Sequence, residues 1–275
     1  MRASTPTGES MDLGNLPEYW RSIAEEFRTL ENLPALGPNH VLSARAFDEA
    51  QVAGPRTYMG VTRYLGVARD NHEALLALLE RHGATPWAPW SLLRPVFETS
   101  FLAAWILDPA DGRERRARGL RCEVHDAYEQ RKHRAAFKAF PEIREAIEKS
   151  EQAIAQGSLA TYRAEAAALG RTFDWTKQKV NVVDELPKLS FVRSQVGVAP
   201  FLEATWRQLS GFEHGLGWAL LSGTDRTVLA HVPGGVDVRL VINDDSFVNA
   251  AKSTYLLLLS ACRLFVRRHV EPIRP

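Results

Sequence analysis

The chain has 275 residues and a formal net charge of +1, so it lacks the strong basic excess of proteins built wholly around nucleic acid. Hydrophobic residues make up 45% of the sequence, enough to bury a sizeable core, and charged residues make up 24%, which is ordinary for a globular protein. The two cysteines, Cys122 and Cys262, stand far apart without metal-type spacing. They indicate a reducing cytoplasm, with a buried thiol at Cys262.

An N-terminal leader at residues 1–15 is predicted to be disordered, because it mixes Ser, Thr, Pro, Gly and acidic residues and lacks the apolar stretch of a signal peptide. One helical domain is expected over residues 16–275. Its strongest apolar run, at 255–262, is shorter than the roughly 20 residues that a membrane span needs. No membrane partner is therefore expected.

Helical periodicity of apolar residues predicts three helices in the first half of the chain. The second ends at Gly83, and the third ends at Asp108-Pro109 because proline cannot continue a helix. Pro95 lies inside the third pattern, so we expect that helix to begin or to kink there. The predicted ranges are 16–33, 55–81 and 87–107.

The second half of the chain predicts further helices and one hairpin. Two alternating valine-rich segments flank Pro233-Gly234-Gly235, which predicts a β-hairpin over about 227–242. Asp244 or Asp245 is expected to cap the last helix. The helical ranges are 111–155 with a division at Pro141, 158–169, 201–221, and from 244 or 245 to 270. The predicted fold class is all-α, a multi-helix antiparallel bundle with one small β-hairpin near the C-terminus.

Arg207, Ser210 and His214 share one face of the predicted 201–221 helix, because they are spaced at i, i+3 and i+7. Histidine is the side chain best suited to proton transfer near neutral pH, and arginine can hold an anion through two hydrogen bonds. The pattern therefore predicts a catalytic or binding site. It equally fits a close-packed helix crossing in which His214 is hydrogen-bonded in the core.

Arg94 and Glu98 stand four residues apart on the strongly apolar helix predicted at 87–107. Both are expected to be partly buried, and buried charges need partners. One interpretation is an intrahelical ion pair that fixes the register of the bundle. The other is a polar pocket for an anionic small ligand or a partner. The pocket would comprise Arg94, Glu98, Arg207 and His214, with Trp105 and Trp206 as apolar walls.

The stretch 111–134 carries eight basic residues against five acidic ones. It predicts either a solvated face of alternating charge or a surface that follows a phosphate backbone. Within it, His125, Glu129 and His133 form a stripe, but a straight helix rises about 12 Å over eight residues, too far for both histidines to reach one ion. An adjacent pair would need further ligands from a neighbouring helix, such as Glu98. Without an HExxH, GxGxxG or Walker sequence, no metal and no cofactor is expected.

The segment from Arg207 to His214, an arginine followed by six residues and a histidine, resembles the signature of the HEPN superfamily of small helical domains. Many of these are metal-independent ribonucleases of toxin and anti-phage systems. The resemblance implies that Arg207 and His214 act at an RNA phosphodiester, usually across a dimer interface that brings two such motifs together.

A second resemblance covers roughly residues 58–268. The helix carrying Arg94 and Glu98 leads into Trp105-Ile106-Leu107-Asp108-Pro109, and a Leu-Ser-x-x-x-His-Gly segment follows at Leu209–Gly215. These features resemble a family of uncharacterised bacterial helical proteins, often from actinobacteria. The resemblance implies a helical fold and no established activity.

Two functional hypotheses follow. The first is a helical-bundle protein of uncertain role whose arginine, glutamate and histidine cluster binds an anionic ligand or a partner. The alternative is an HEPN-like ribonuclease, in which Arg207 neutralises the scissile phosphate, His214 transfers protons and Ser210 orients the phosphate or the imidazole. RNA is the partner in that case. The apolar final helix is also compatible with a homodimer, although core burial explains it equally well.

Overall fold

The computed structural model describes residues 14–35, 43–83 and 85–271. Within these residues the protein is mostly helical, with helices packed antiparallel and one two-stranded antiparallel hairpin near the C-terminus, so the predicted fold class is confirmed. No described helix is long and apolar enough to cross a membrane. The predicted leader lies, up to residue 13, outside the described residues.

The first half of the chain is helical close to the predicted positions. Its helices are α1 (Leu16–Glu31), α2 (Ala44–Glu49), α3 (Gly54–His82), α4 (Ala88–Leu107) and α5 (Gly112–Ala136). Helix α2 was not predicted, and Ser43 caps it by accepting a hydrogen bond from the Ala46 backbone N–H at 3.1 Å. Helix α4 runs continuously through Pro95, so it does not begin at that residue.

The second half contains the remaining helices and the hairpin. They are α6 (Pro141–Gln156), α7 (Ser158–Ala168), α8 (Val182–Glu185), α9 (Ser190–Arg193), α10 (Val198–Glu213), α11 (Gly217–Gly223), β1 (Thr224–Val232), β2 (Gly235–Ile242) and α12 (Asp244–Val270). A short 3₁₀ helix at Phe137–Ala139 separates α5 from α6, as Pro141 predicts. Asn243, rather than Asp244 or Asp245, caps α12, because its side-chain oxygen accepts a hydrogen bond from the Ser246 backbone N–H at 2.9 Å.

The prediction of a single helix over 201–221 is wrong, because the chain turns between α10 and α11. Gly215 adopts a φ of +63°, a left-handed conformation that favours glycine. The Leu216 N–H donates to the Gly211 carbonyl oxygen at 2.8 Å, which closes α10 in the manner of a Schellman motif. His214 is therefore the residue that follows the last turn of α10.

The chain folds into two compact units, each assembled from several segments. Of the described residues, the first unit contains 14–32, 64–83, 85–104 and 186–263, and the second contains 33–35, 43–63, 105–185 and 264–271. In the first, Trp90 stacks on Phe212 with 4.4 Å between ring centroids. The second has an apolar cluster that joins α5 to α7. Its buried members include Leu120, Val124, Tyr162, Ala166 and Leu169. The single domain expected over 16–275 stays a prediction.

Candidate functional site

The α10 motif lies in the first unit with Arg207 and His214 exposed. The Arg207 side chain is 57% exposed and pairs with Glu203 one turn earlier, at 2.8 Å between Nη2 and Oε1. His214 is exposed, whereas Ser210 and Trp206 are half-buried. The interpretation of His214 as a hydrogen-bonded core histidine is therefore wrong, because the turn that closes α10 leaves its side chain exposed.

Arg94 and Glu98 form the intrahelical ion pair that their spacing predicts, at 3.0 Å between Nε and Oε1. Both side chains are partly buried, and Nη1 of Arg94 is buried without a hydrogen-bond partner in the described structure. No hydrogen bond or ion pair between described residues joins this pair to Arg207 or His214. Arg94 and Glu98 thus pair with each other and Arg207 pairs with Glu203, so no described hydrogen bond or ion pair brings together the four residues proposed for one pocket.

A second polar group lines a cleft of about 210 Å³ in the second unit. Helix α5 supplies Glu114, Arg118 and Arg121, and the segment after α7 supplies Arg171. We call this feature the arginine cleft. Its aromatic walls are Trp105, at the end of α4, and Phe173. Trp105, which was expected to line a ligand pocket, lies in this cleft, and Trp206 does not.

Two arginines of the cleft are fixed in position by the protein backbone. Arg118 donates from Nη1 to the Trp105 carbonyl oxygen at 2.7 Å and from Nε to Glu114 at 3.1 Å. Its guanidinium lies over the Trp105 ring, 4.8 Å from the centroid, which adds a cation–π contact. Arg121 donates to the carbonyl oxygens of Gln178 and Lys179 at 3.0 and 2.8 Å. Both guanidinium groups are therefore oriented before any ligand arrives.

The charge of the cleft is unbalanced. Three guanidinium groups line it, whereas Glu114 is the single carboxylate of its described lining. Glu114 is shared, since it pairs with both Arg118 and Arg171. Each arginine also keeps N–H groups that bond to no described residue: Nη2 of Arg118, Nη1 of Arg121, and Nε and Nη1 of Arg171. The arrangement offers an anion several charged donors.

Other arginines of α5 have structural partners. Arg115 is buried, and its Nε donates to the buried carboxylate of Asp48 at 2.7 Å. The Tyr58 hydroxyl donates to the same carboxylate at 3.0 Å, and burial raises the pKa of Tyr58. Arg113 and Arg116 donate to backbone carbonyl oxygens. Much of the hydrogen bonding of the arginines of 111–121 is thus directed into the protein, so they do not form a simply solvated face, and the phosphate-backbone hypothesis stays a prediction.

The histidine stripe of α5 does not form a metal centre in the described structure. No group of three or more His, Cys, Asp or Glu side chains comes close enough there to hold an ion. Glu129 pairs instead with Lys132 at 3.0 Å. Partial burial lowers the pKa of His125.

Comparisons of the chain with protein-family models, with curated proteins and with solved structures find no match. The two family resemblances therefore stay expectations, and the ribonuclease hypothesis at Arg207 and His214 stays a prediction.

Apart from Trp105, the residues of this cleft were not predicted as a ligand pocket, although Arg118 and Arg121 belong to the basic stretch 111–134. Glu114, Arg118 and Arg121 recur at i, i+4 and i+7, which places them on one face of α5, and that spacing was a usable signal. Arg171 carried no such signal. It reaches the cleft only because Gly170, with a φ of +66°, ends α7 and turns the chain back to Glu114.

Proposed function

We propose that this protein binds a small anionic molecule, one that carries carboxylate or phosphate groups, in the arginine cleft. The observation that carries the proposal is the set of N–H groups on Arg118, Arg121 and Arg171 that line one cleft and bond to no described residue. Guanidinium groups match the geometry of carboxylate and phosphate oxygens, and such charge-assisted hydrogen bonds are the strong ones.

The size and walls of the cleft narrow the ligand class. Its volume of about 210 Å³ lies below the roughly 300–1,000 Å³ of pockets for drug-sized ligands. The partly buried Phe173 offers apolar contact for a short carbon skeleton, whereas Trp105 is 2% exposed and lies beneath the Arg118 guanidinium. A compact organic anion therefore fits the cleft better than a long polymer does, and Glu114 selects against a ligand that places its own negative charge beside that carboxylate.

The test is a calorimetric titration of the full chain with inorganic phosphate and, separately, with citrate at low ionic strength. Arg171→Gln is the variant of choice, because the Arg171 side chain is exposed and its only hydrogen-bond partner among the described residues is Glu114, so the substitution spares the packing. Removing one charged hydrogen-bond donor is expected to weaken binding about tenfold or more.

Arg207→Gln provides the matched control, since Arg207 is similarly exposed and is also paired with a glutamate, but lies outside the cleft. It should bind both anions as the wild type does. Absence of saturable binding to the wild type, or equal weakening in the two variants, would contradict the proposal. Binding of citrate but not phosphate would assign the cleft to carboxylates.

A further inference from the structure

The β1–β2 hairpin lacks the packing that normally stabilises a sheet. Among the described residues the sheet has only two strands, and every residue from 225 to 237 is exposed. A lone two-stranded hairpin is marginally stable in water, and an open strand edge is a template for a further strand. Its exposed apolar side chains are Val228, Leu229, Val232 and Val236, each about half exposed.

The two edges of the hairpin differ. On β1, Val228 pairs with Val238 and Ala230 pairs with Asp237, so Leu229 is skipped and forms a β-bulge. A bulge disrupts the ladder and bends the strand, which blunts that edge. On β2, each residue from Gly235 to Ile242 has a partner in unbroken succession. The regular edge that can accept another strand is therefore β2.

The side chains of β2 alternate in character. Val236, Val238 and Leu240 point to one face, and Asp237, Arg239 and Val241 point to the other, because successive side chains of a strand alternate. Asp237 and Arg239 are both exposed, and neither side chain forms a hydrogen bond or an ion pair with any residue that the structure describes. Strand β2 thus carries one positive and one negative charge, placed symmetrically about Val238.

We infer that β2 pairs antiparallel with β2 of a second copy of this chain, with the two-fold axis at Val238. In this register Asp237 lies opposite Arg239 of the second copy, and Arg239 lies opposite its Asp237. A parallel pairing in register places like charges opposite each other, and a shift by one residue puts apolar side chains on the charged face. Charge and alternation therefore select a single arrangement, a four-stranded sheet in the order β1-β2-β2-β1.

The homodimer expected from the apolar final helix would need a different surface. Tyr255, Leu257 and Leu258 of α12 are fully buried within the chain, so they are not free to contact a second copy. The exposed apolar residues of the hairpin are free to do so. An interface at β2 also does not depend on the arginine cleft, so either proposal can fail without the other.

The experiment is sedimentation velocity of the full chain over a wide range of concentration, with two charge-reversal variants. Asp237→Arg and Arg239→Asp each place like charges opposite each other in the dimer, and both are expected to be monomeric. An equimolar mixture of the two variants restores both opposite-charge pairs and should form a heterodimer. The double variant, with both substitutions, should again form a homodimer.

Arg226→Asp, on the bulged strand, reverses a similarly exposed charge outside the pairing and should remain dimeric. Circular dichroism of each variant checks the fold, and the double variant tests the register even where a single variant fails to fold. A monomeric wild type at all concentrations overturns the inference. So does a dimer that persists in both single variants, or a mixture that stays monomeric.

Discussion

At the scale of single residues, His72 links the stability of the protein to pH. Its ring is buried in the first unit, and its Nδ1 lies 3.1 Å from the Tyr255 hydroxyl oxygen. Burial disfavours the charged imidazolium and lowers the pKa of His72 from 6.5 to about 4, against a weaker opposing effect of Glu73. The folded protein therefore holds this ring neutral across the range in which the unfolded chain takes up a proton.

We expect acidification to destabilise the fold through His72. The unfolded chain binds this proton near pH 6.5 and the folded chain only near pH 4, so the free energy of unfolding falls as the pH is lowered through that window. The loss attributable to this residue is about 3 kcal/mol. Urea unfolding at a series of pH values measures it. His72→Gln keeps a hydrogen-bonding group beside Tyr255 but cannot be protonated. The free energy of unfolding of this variant should therefore fall less steeply as the pH is lowered. An unchanged slope would show that His72 is not the group responsible.

At the scale of helices, the contact between α5 and α3 requires that Gly119 have no side chain. An added Cβ would lie 2.4 Å from Oγ1 and 2.8 Å from Cβ of Thr57, which is fully buried and donates to the Ala53 carbonyl oxygen. Gly119→Ala gains about 1 kcal/mol of helix propensity, but the clash costs about 1–3 kcal/mol. Because Thr57 cannot easily give way, we expect a net loss of stability in urea unfolding.

Gly66 supplies the comparison for that experiment. It lies within α3, and an added Cβ would meet no atom within 4 Å. Gly66→Ala should therefore raise the free energy of unfolding by about 1 kcal/mol. Equal stabilisation of both alanine variants would show that Thr57 does not resist an added Cβ at position 119. Combining Gly119→Ala with Thr57→Ala should recover part of the loss, which a double-mutant cycle measures.

The helices also show which structural features a sequence pattern can predict and which it misses. The helix predicted at 55–81 is observed as Gly54–His82, because a long helix with one buried face leaves a regular apolar spacing, seen at Leu65, Ala68 and Leu75. The turn at Gly215 was missed, since apolar residues continue on both sides of it. A single left-handed residue ends a helix without altering the periodicity around it.

At the scale of the whole molecule, the candidate site is formed by residues that are distant in sequence. The pair of Arg94 and Glu98 was predictable, because its four-residue spacing is local. The pairing of Arg171 with Glu114, and of Asp48 with Arg115, depends on how separate segments pack in the second unit. Composition and periodicity contain no information about such pairings. The proposed anion site therefore consists of residues that, apart from Trp105, the sequence pattern did not predict as a pocket.

A single experiment separates the arginine cleft from the α10 motif as the functional surface. Arg207 is held by Glu203, and His214 forms no hydrogen bond with a described residue that would orient its ring, so we expect labelled RNA to stay intact with the wild type in EDTA. His214→Ala should bind phosphate and citrate as the wild type does, whereas Arg171→Gln should bind both anions more weakly. If the wild type cleaves RNA and His214→Ala does not, the functional site is the α10 motif. Cleavage would also require Arg207 to exchange Glu203 for the scissile phosphate, and Glu203→Gln, which frees Arg207, should then accelerate cleavage.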